Sequence, residues 1–351
     1  MKRIITLALT LVLVSCAEAQ DKKFQVRTVA FYNVENLFDT INDPVKFDDD
    51  RTPNGADRWT SKVYTDHVNK IAKVISEIGS DVTHQAPDIV GLGEIENENV
   101  VRDLINTDYL KKYNYGIIHY ESPDMRGVDV ALIYKMGIFK PSSSVAVPYP
   151  ADVKTDKGKR FRTRDQLLVT GELDGETIHF IVNHWPSRLG GEKNSRPFRK
   201  IAAELNKQIF DSLQHIDPNA KVISMGDFND DPTSPAIKDV LKTKEKKEDV
   251  QQGGLFNPMI RMYNRGEGTL AYQDGWNLFD QFFITYDLLK DDKSTYRYWK
   301  AGIFNKPYLA NPKGKYKGYP FRSMSNGNYT WGYSDHFPVY LYLVREIRGK
   351  K

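Results

Sequence analysis

Apolar residues recur along this chain in short runs, and several of the runs stop abruptly at a polar side chain. Residues 24–32 read as a first strand and end in Asn33-Val34-Glu35-Asn36; residues 88–93 form another and meet Glu94. Residues 177–184 close on Asn183-His184, and residues 222–225 lead through Gly226 to Asp227 and Asn229. Ser334-Asp335-His336 stands just before a last apolar run over 337–344. Further strands are expected at 115–120, 128–134 and 166–173, with a hairpin turn at Leu173-Asp174-Gly175-Glu176. Helical spacing links His67, Ile71, Val74, Ile75 and Ile78, and a long helix is expected from about 197 to 213. Residues 47–59 carry Asp48-Asp49-Asp50, Pro53 and Gly55 and read as loop. Strands and helices mixed with hairpins argue against a purely parallel sheet and for a mixed α/β fold.

The first nineteen residues stand apart. Met1-Lys2-Arg3 precedes an almost continuous apolar run over 4–14, too short to span a bilayer as a mature helix and right for a secretory signal. Leu13-Val14-Ser15-Cys16 resembles a bacterial lipobox, whereas Ala17-Glu18-Ala19 offers a competing cleavage site that would release a soluble protein. An exported product, lipid-anchored at the cell envelope or secreted, is the expectation, with one domain over 24–345. Cys16 is the one cysteine of the 351 residues, which excludes an intrachain disulfide and a cysteine zinc site. The net charge of +4 falls only to +3 when Lys2, Arg3 and Glu18 are removed, a weak bias toward a polyanionic partner.

The polar run ends change the picture most. Residues i and i+2 of an extended chain share a face, so Asp227 and Asn229 leave their strand side by side. Each ending alone has an ordinary explanation: a turn, a helix cap at Glu94, a satisfied core histidine at His184. Five in one chain are harder to explain so, because loop-borne polar groups at the ends of a sheet are where sites are built. Carboxylate and amide oxygens are hard ligands suited to Mg2+ or Mn2+, with Ca2+ as an alternative. Two histidines suit proton transfer near neutral pH.

Tyr32-Asn33-Val34-Glu35, Gly93-Glu94, Asn183-His184, Gly226-Asp227-Phe228-Asn229 and Ser334-Asp335-His336-Phe337-Pro338 together resemble, in order, the motifs of the endonuclease/exonuclease/phosphatase superfamily. The resemblance implies a four-layer sandwich: two mixed β-sheets packed face to face, with helices outside. It implies Glu94 as principal metal ligand, with Asn33, Glu35 and Asp335 around the same cation or a second one. By the same resemblance Asp227 would orient or deprotonate the attacking water, and Asn229 would hold the scissile phosphate. His336, oriented by Asp280, would stabilise or protonate at the phosphate; His184 would be a second acid/base group or a phosphate ligand. Gln281 follows Asp280 where family members often carry Tyr or His. Asp129 stands either as an acidic partner for His184 or on the surface.

Arg188, Lys193, Arg196 and Arg199 gather charge beside His184, either as solvated surface or as a phosphate-binding group led by Arg188 and Arg199. Arg162 and Arg164 are weaker candidates of the same kind. Aromatic and basic residues interleave over 296–331, a mixture that fits base stacking or plain packing. The expectation is a monomeric metal-dependent phosphodiesterase acting on nucleic acid, touching a membrane only through its lipid. Its alternatives are a phosphomonoesterase or a phospholipid or sugar-phosphate diesterase, and, from another class, a non-catalytic surface-binding lipoprotein.

Overall fold

The computed structural model describes residues 23–347 except 151 and 156. The expected leader over 1–19, with Cys16, lies outside the described residues. The first half runs through β1 (Lys23–Leu37), α1 (Ser61–Glu77), α2 (Ser80–Thr83), β2 (Ile89–Ile95), α3 (Glu98–Ile105), β3 (Tyr115–His119) and β4 (Asp129–Lys135). Next come β5 (Phe139–Val147), β6 (Gln166–Leu173), β7 (Glu176–His184), α4 (Glu192–Ile216) and β8 (Val222–Asp227). Short pieces follow: β9 (Leu255–Phe256), α5 (Ile260–Asn264) and the ribbon β10 (Leu270–Tyr272) with β11 (Gly275–Asn277). The chain ends with β12 (Asp280–Thr285), β13 (Arg297–Ile303), the ribbon β14 (Met324–Ser325) with β15 (Asn328–Tyr329), and β16 (Val339–Ile347).

Two six-stranded sheets result, ordered β13-β16-β1-β2-β4-β3 and β5-β6-β7-β8-β12-β9. Each holds one parallel pair, β1 with β2 and β7 with β8, among antiparallel neighbours. A parallel pair needs a crossover, and α1 and α4 supply the two. Strand alternation then decides the layers. Val29 and Phe31 of β1 face the other sheet and join Val182, Met225 and Phe282 in the central core. Ala30, Tyr32 and Val34 face outward, where Val68, Ile71 and Ile75 of α1 cover them. On the far side, Ala203, Ile209 and Phe210 of α4 cover Ile181, Val222 and Phe283. Each large apolar side chain fully buried this way contributes about 1.5–3 kcal/mol. The expected mixed four-layer sandwich is the observed fold.

Two differences have local causes. Helix α4 starts at Glu192, before Pro197, which sits inside the helix. A proline is cheapest in the first turn, where backbone N–H groups lack partners, so the reading that began at 197 was late. Strand β5 was missed because Pro141 and the serines over 142–144 hide it, and it lies at a half-exposed sheet edge where proline is tolerated.

Candidate active site

The parallel strands β1, β2, β7 and β8 all end on one side of the sandwich, and β12 and β16 begin there. Polar groups from both sheets therefore meet at one rim, the position where open α/β sheets carry their ligands.

The local backbone is shaped for this. The β1–β2 register shifts between Asn33 and Leu37, and the β2–β4 register shifts between Gly93 and Ile95. Such irregularities re-aim side chains. Glu35, Asn36, Glu94 and Asn229 all have positive φ, between 50° and 62°. Left-handed backbone costs a non-glycine residue roughly 1–2 kcal/mol, and four such residues gather at this one rim. The turn into Asp227 needs glycine for a steric reason: a Cβ on Gly226 would collide with the Asn183 carbonyl oxygen of the paired strand.

The acidic, amide and imidazole groups form a continuous chain of contacts. His184 Nε2 lies 3.6 Å from Glu94 Oε1 and 3.7 Å from Asp227 Oδ2. Asp227 Oδ2 lies 3.8 Å from His336 Nε2 and accepts a 3.1 Å hydrogen bond from Asn33 Nδ2. Its other oxygen accepts the Asn229 backbone N–H at 2.9 Å. His336 Nδ1 sits 2.7 Å from Asp280 Oδ2, across the β8–β12 pair that sets Asp280 beside Asp227. Ser334 Oγ donates to the Asn33 carbonyl and accepts the His336 N–H, tying the last loop to β1. On the acidic side Arg322 reaches both Glu35 (3.3 Å) and Asp335 (2.9 Å), and the Ser323 N–H donates to Glu35.

Burial sets the electrostatics. It pushes Asp227 up to about 6, with His336 pulling down and Asp280 pushing further up. Burial works against the charge on His336, but Asp280, Asp227 and Asp335 outweigh it and hold the imidazolium well above the usual histidine range. Burial, with Arg164, Arg126 and His336, drives His184 well below that range, so it is neutral. Two imidazoles in one pocket thus hold opposite protonation states, the separation that acid/base chemistry needs.

Glu35 is pushed up to about 8 by burial and by Asp335, against the pull of Arg322. Buried carboxylates that cannot all ionise together, rich in hard oxygens and poor in other donors, fit a divalent cation. Glu94, Asn33, Glu35 and Asp335 supply such oxygens at this rim, Glu94 beside His184, Asn33 beside Asp227, and Glu35 and Asp335 on either side of Arg322.

Other expectations need correction. Arg199 is not at the rim: it is fully buried, with Nε 2.7 Å from Asp230 and further bonds to Ser195 and the Glu192 carbonyl. A buried guanidinium with its donors engaged has no face for a phosphate. Arg188 braces the Asp227–Asn229 turn from behind, donating to the Asn229 carbonyl, pairing with Asp230 and Asp231 and lying over the Phe279 ring. Arg164 is buried too, fastening the His184 and Trp185 carbonyls to Asp124. Asn229 gives one amide hydrogen to the Trp185 carbonyl, which leaves only its second for any other partner. Asp129 partners His119 and Ser122 rather than His184, whose Nδ1 has no partner among the described residues. His119, Asp129 and Glu121 do lie close enough to share an ion, although Asp129 already accepts three bonds. Arg322 and Arg126, the latter 4.0 Å from Glu94, were missed as neighbours of the acids. Arg322 had been legible only as one base in the aromatic stretch.

Among solved structures the chain is similar to an endonuclease/exonuclease/phosphatase family protein of Bacteroides thetaiotaomicron (18% identity, 93% of this chain and 100% of that one, TM-score 0.54). It is also similar to the mannosyl-6-phosphatase Bt3783 of the same organism (18%, 90% and 99%, TM-score 0.52). D. rerio TDP2, solved with a single-strand DNA product, matches at 15% identity over 91% and 98%, TM-score 0.51. At such identities the likeness is one of fold. No curated protein matches the sequence. The sequence model of the Endonuclease/Exonuclease/phosphatase family matches residues 28–345, most of the length over which these strand ends are assembled, so the chain belongs to that family and is a hydrolase of phosphate esters.

Proposed function

We propose that this protein is an exported, lipid-anchored or secreted phosphodiesterase that cleaves nucleic acid with the help of Mg2+ or Mn2+. The observation that carries the chemistry is the unbroken run Glu94–His184–Asp227–His336–Asp280, each pair within 3.8 Å. Enzymes of this family generally use divalent ions. Bound by Glu94, Asn33, Glu35 and Asp335, such an ion would neutralise phosphate charge and stabilise the charge that develops in the transition state.

The chain's own residues divide the remaining work. Asp227, held by Asn33 and the Asn229 N–H, takes a proton from the attacking water once it is ionised, above about pH 6. His336, charged and fixed by Asp280, donates to the phosphoryl oxygens as negative charge grows there. His184 stays neutral and orders the space between Glu94 and Asp227. The free amide hydrogen of Asn229 adds a donor toward the phosphate. Arg188 is a positioning residue for that turn.

Two features favour nucleic acid. Half-exposed Trp276 stacks on Phe337, the neighbour of His336, with ring centres 6.1 Å apart. A cleft of about 360 Å³ is lined by Arg162, the stacked rings of Phe161 and Phe198, and Arg126, whose guanidinium lies 4.0 Å from Glu94. Flat apolar faces next to guanidinium groups suit bases joined by phosphates. The test is a panel of single- and double-stranded DNA and RNA, sugar phosphates and phospholipids, each with Mg2+ and with chelator. Cleavage of a nucleic acid at a kcat/KM at least tenfold above every other substrate is expected. Preference for mannose 6-phosphate or another monoester would replace this reading with the sugar-phosphatase alternative.

A further inference from the structure

The cleft that Arg126 and Arg162 line holds more positive charge than its own carboxylate can use. Among the described residues three guanidinium groups line it, on Arg126, Arg162 and Arg164, against the one carboxylate of Asp124. Arg164 takes that carboxylate at 2.9 Å and is otherwise fastened to the His184 and Trp185 carbonyls. Arg126 is half-exposed, with its guanidinium 3.7 Å from Asp124 and 4.0 Å from Glu94, too far for a hydrogen bond to either. Arg162 is exposed and forms no ion pair among the described residues; the Met125 thioether, a weak acceptor, lies 3.2 Å from its Nη1. Two guanidinium forks therefore stand in one cleft without the acceptors they are shaped for. The half-buried rings of Phe161 and Phe198, stacked 4.1 Å apart, add an apolar stretch of wall. A volume of about 360 Å³ is near the lower end for small-molecule sites and suits a group the size of one nucleotide.

We propose that this cleft is a second phosphate subsite, in which Arg162, helped by Arg126, holds the phosphate next to the scissile one. The proposal rests on the nucleic-acid reading above. Arg126 lines the cleft and reaches toward Glu94, so the cleft begins one side chain away from the acids at the rim. A strand with its scissile phosphate at those acids carries the neighbouring nucleotide into the cleft, its base or sugar against the Phe161 and Phe198 rings and its far phosphate on the guanidinium forks. These two arginines thus take the part that Arg188 and Arg199, engaged inside the protein, do not. The substrate they select has two phosphates on either side of one nucleoside. A lone phosphodiester leaves the subsite unfilled.

Calorimetric binding to the full chain with Mg2+, made slow to turn over by Asp227→Asn, tests this. The probes are thymidine 3′-monophosphate, thymidine 5′-monophosphate and thymidine 3′,5′-bisphosphate, beside mannose 6-phosphate and mannose 1,6-bisphosphate. The thymidine bisphosphate is expected to bind at least tenfold more tightly than the better thymidine monophosphate, and adding Arg162→Gln to bring that gain below threefold. For a single-stranded oligonucleotide, Arg162→Gln is expected to flatten the slope of log Kd against log salt by about 0.7, the share of one phosphate contact, and Arg162→Lys to restore it. Arg162 is exposed, so its variants are expected to unfold within about 2 °C of their parent. The proposal is overturned if the thymidine monophosphates bind but the second phosphate adds less than threefold, or if Arg162→Gln keeps the full gain and the full salt slope. If no thymidine phosphate binds while a mannose phosphate does, the nucleic-acid reading itself falls and takes the proposal with it.

Discussion

Replacing Asp280 by Asn removes one charge from the pocket and little volume. In the native protein Asp280 Oδ2 lies 2.7 Å from His336 Nδ1, both groups are buried, and the carboxylate is a leading reason that His336 holds its proton. A hydrogen bond to a charged group contributes about 1.5–3 kcal/mol, and at 1.36 kcal/mol per tenfold its loss lowers kcat/KM by about 10- to 150-fold. The pH profile should move as well. Asp280 raises both His336 and Asp227, so without it both groups titrate lower. The alkaline limb, where the His336 proton is lost, and the acid limb, where Asp227 gains one, should both shift to lower pH. Initial rates on a p-nitrophenyl phosphodiester between pH 5 and 10, at saturating Mg2+, report both limbs. A variant with native kcat/KM, or one slowed without movement of either limb, would refute the reasoning.

Arg199→Ala should lower unfolding stability by about 3–5 kcal/mol, because it strands Asp230 in the interior, while the KM of the folded fraction changes less than twofold; a raised KM with intact stability would restore Arg199 as a phosphate ligand. Glu94→Gln should raise the Mg2+ concentration for half-maximal activity at least tenfold, a shift that a metal titration of the rate reads directly. His67, on the inner face of α1 against the Val34 carbonyl, is buried and held down at about pKa 4, chiefly by that burial, so the folded protein takes up its proton later than the unfolded chain does as pH falls. The stability involved is complete above pH 6.5 and is lost as pH falls toward 4, about 3 kcal/mol in all. In urea unfolding from pH 7 to 4, His67→Gln should lose about that much less than the native chain; parallel curves for the two proteins would contradict it.

What could be read from sequence followed from chain direction. Asn33, Glu35, Glu94, His184 and Asp227 each close an apolar run, and a strand end is a local property visible without coordinates. The pairing of His336 with Asp280 came only with the family resemblance, since 56 residues separate them and their meeting depends on β12 lying against β8. Charge was the poorest guide. Arg199 stands among exposed basic neighbours in sequence, yet one turn of α4 sends it inward to Asp230. Asp129 looked available to His184, but its strand β4 lies beside β3 and delivers it to His119. Asp48 read as ordinary loop because its burial arises from how residues 38–48 fold back against Glu96. The left-handed backbone at Glu35 and Glu94 had no signal at all, since glycine, the usual marker of positive φ, is absent from those positions.

The central claim is that carboxylates and imidazoles from both sheets act together as one metal-dependent hydrolytic site. Its most direct test is the rate of phosphodiester hydrolysis by the purified chain with Mg2+ and with chelator, beside Asp227→Asn and His336→Ala. The account expects hydrolysis that chelator abolishes and a loss of at least a hundredfold in each variant; activity indifferent to chelator, or retained in full by either variant, would contradict it.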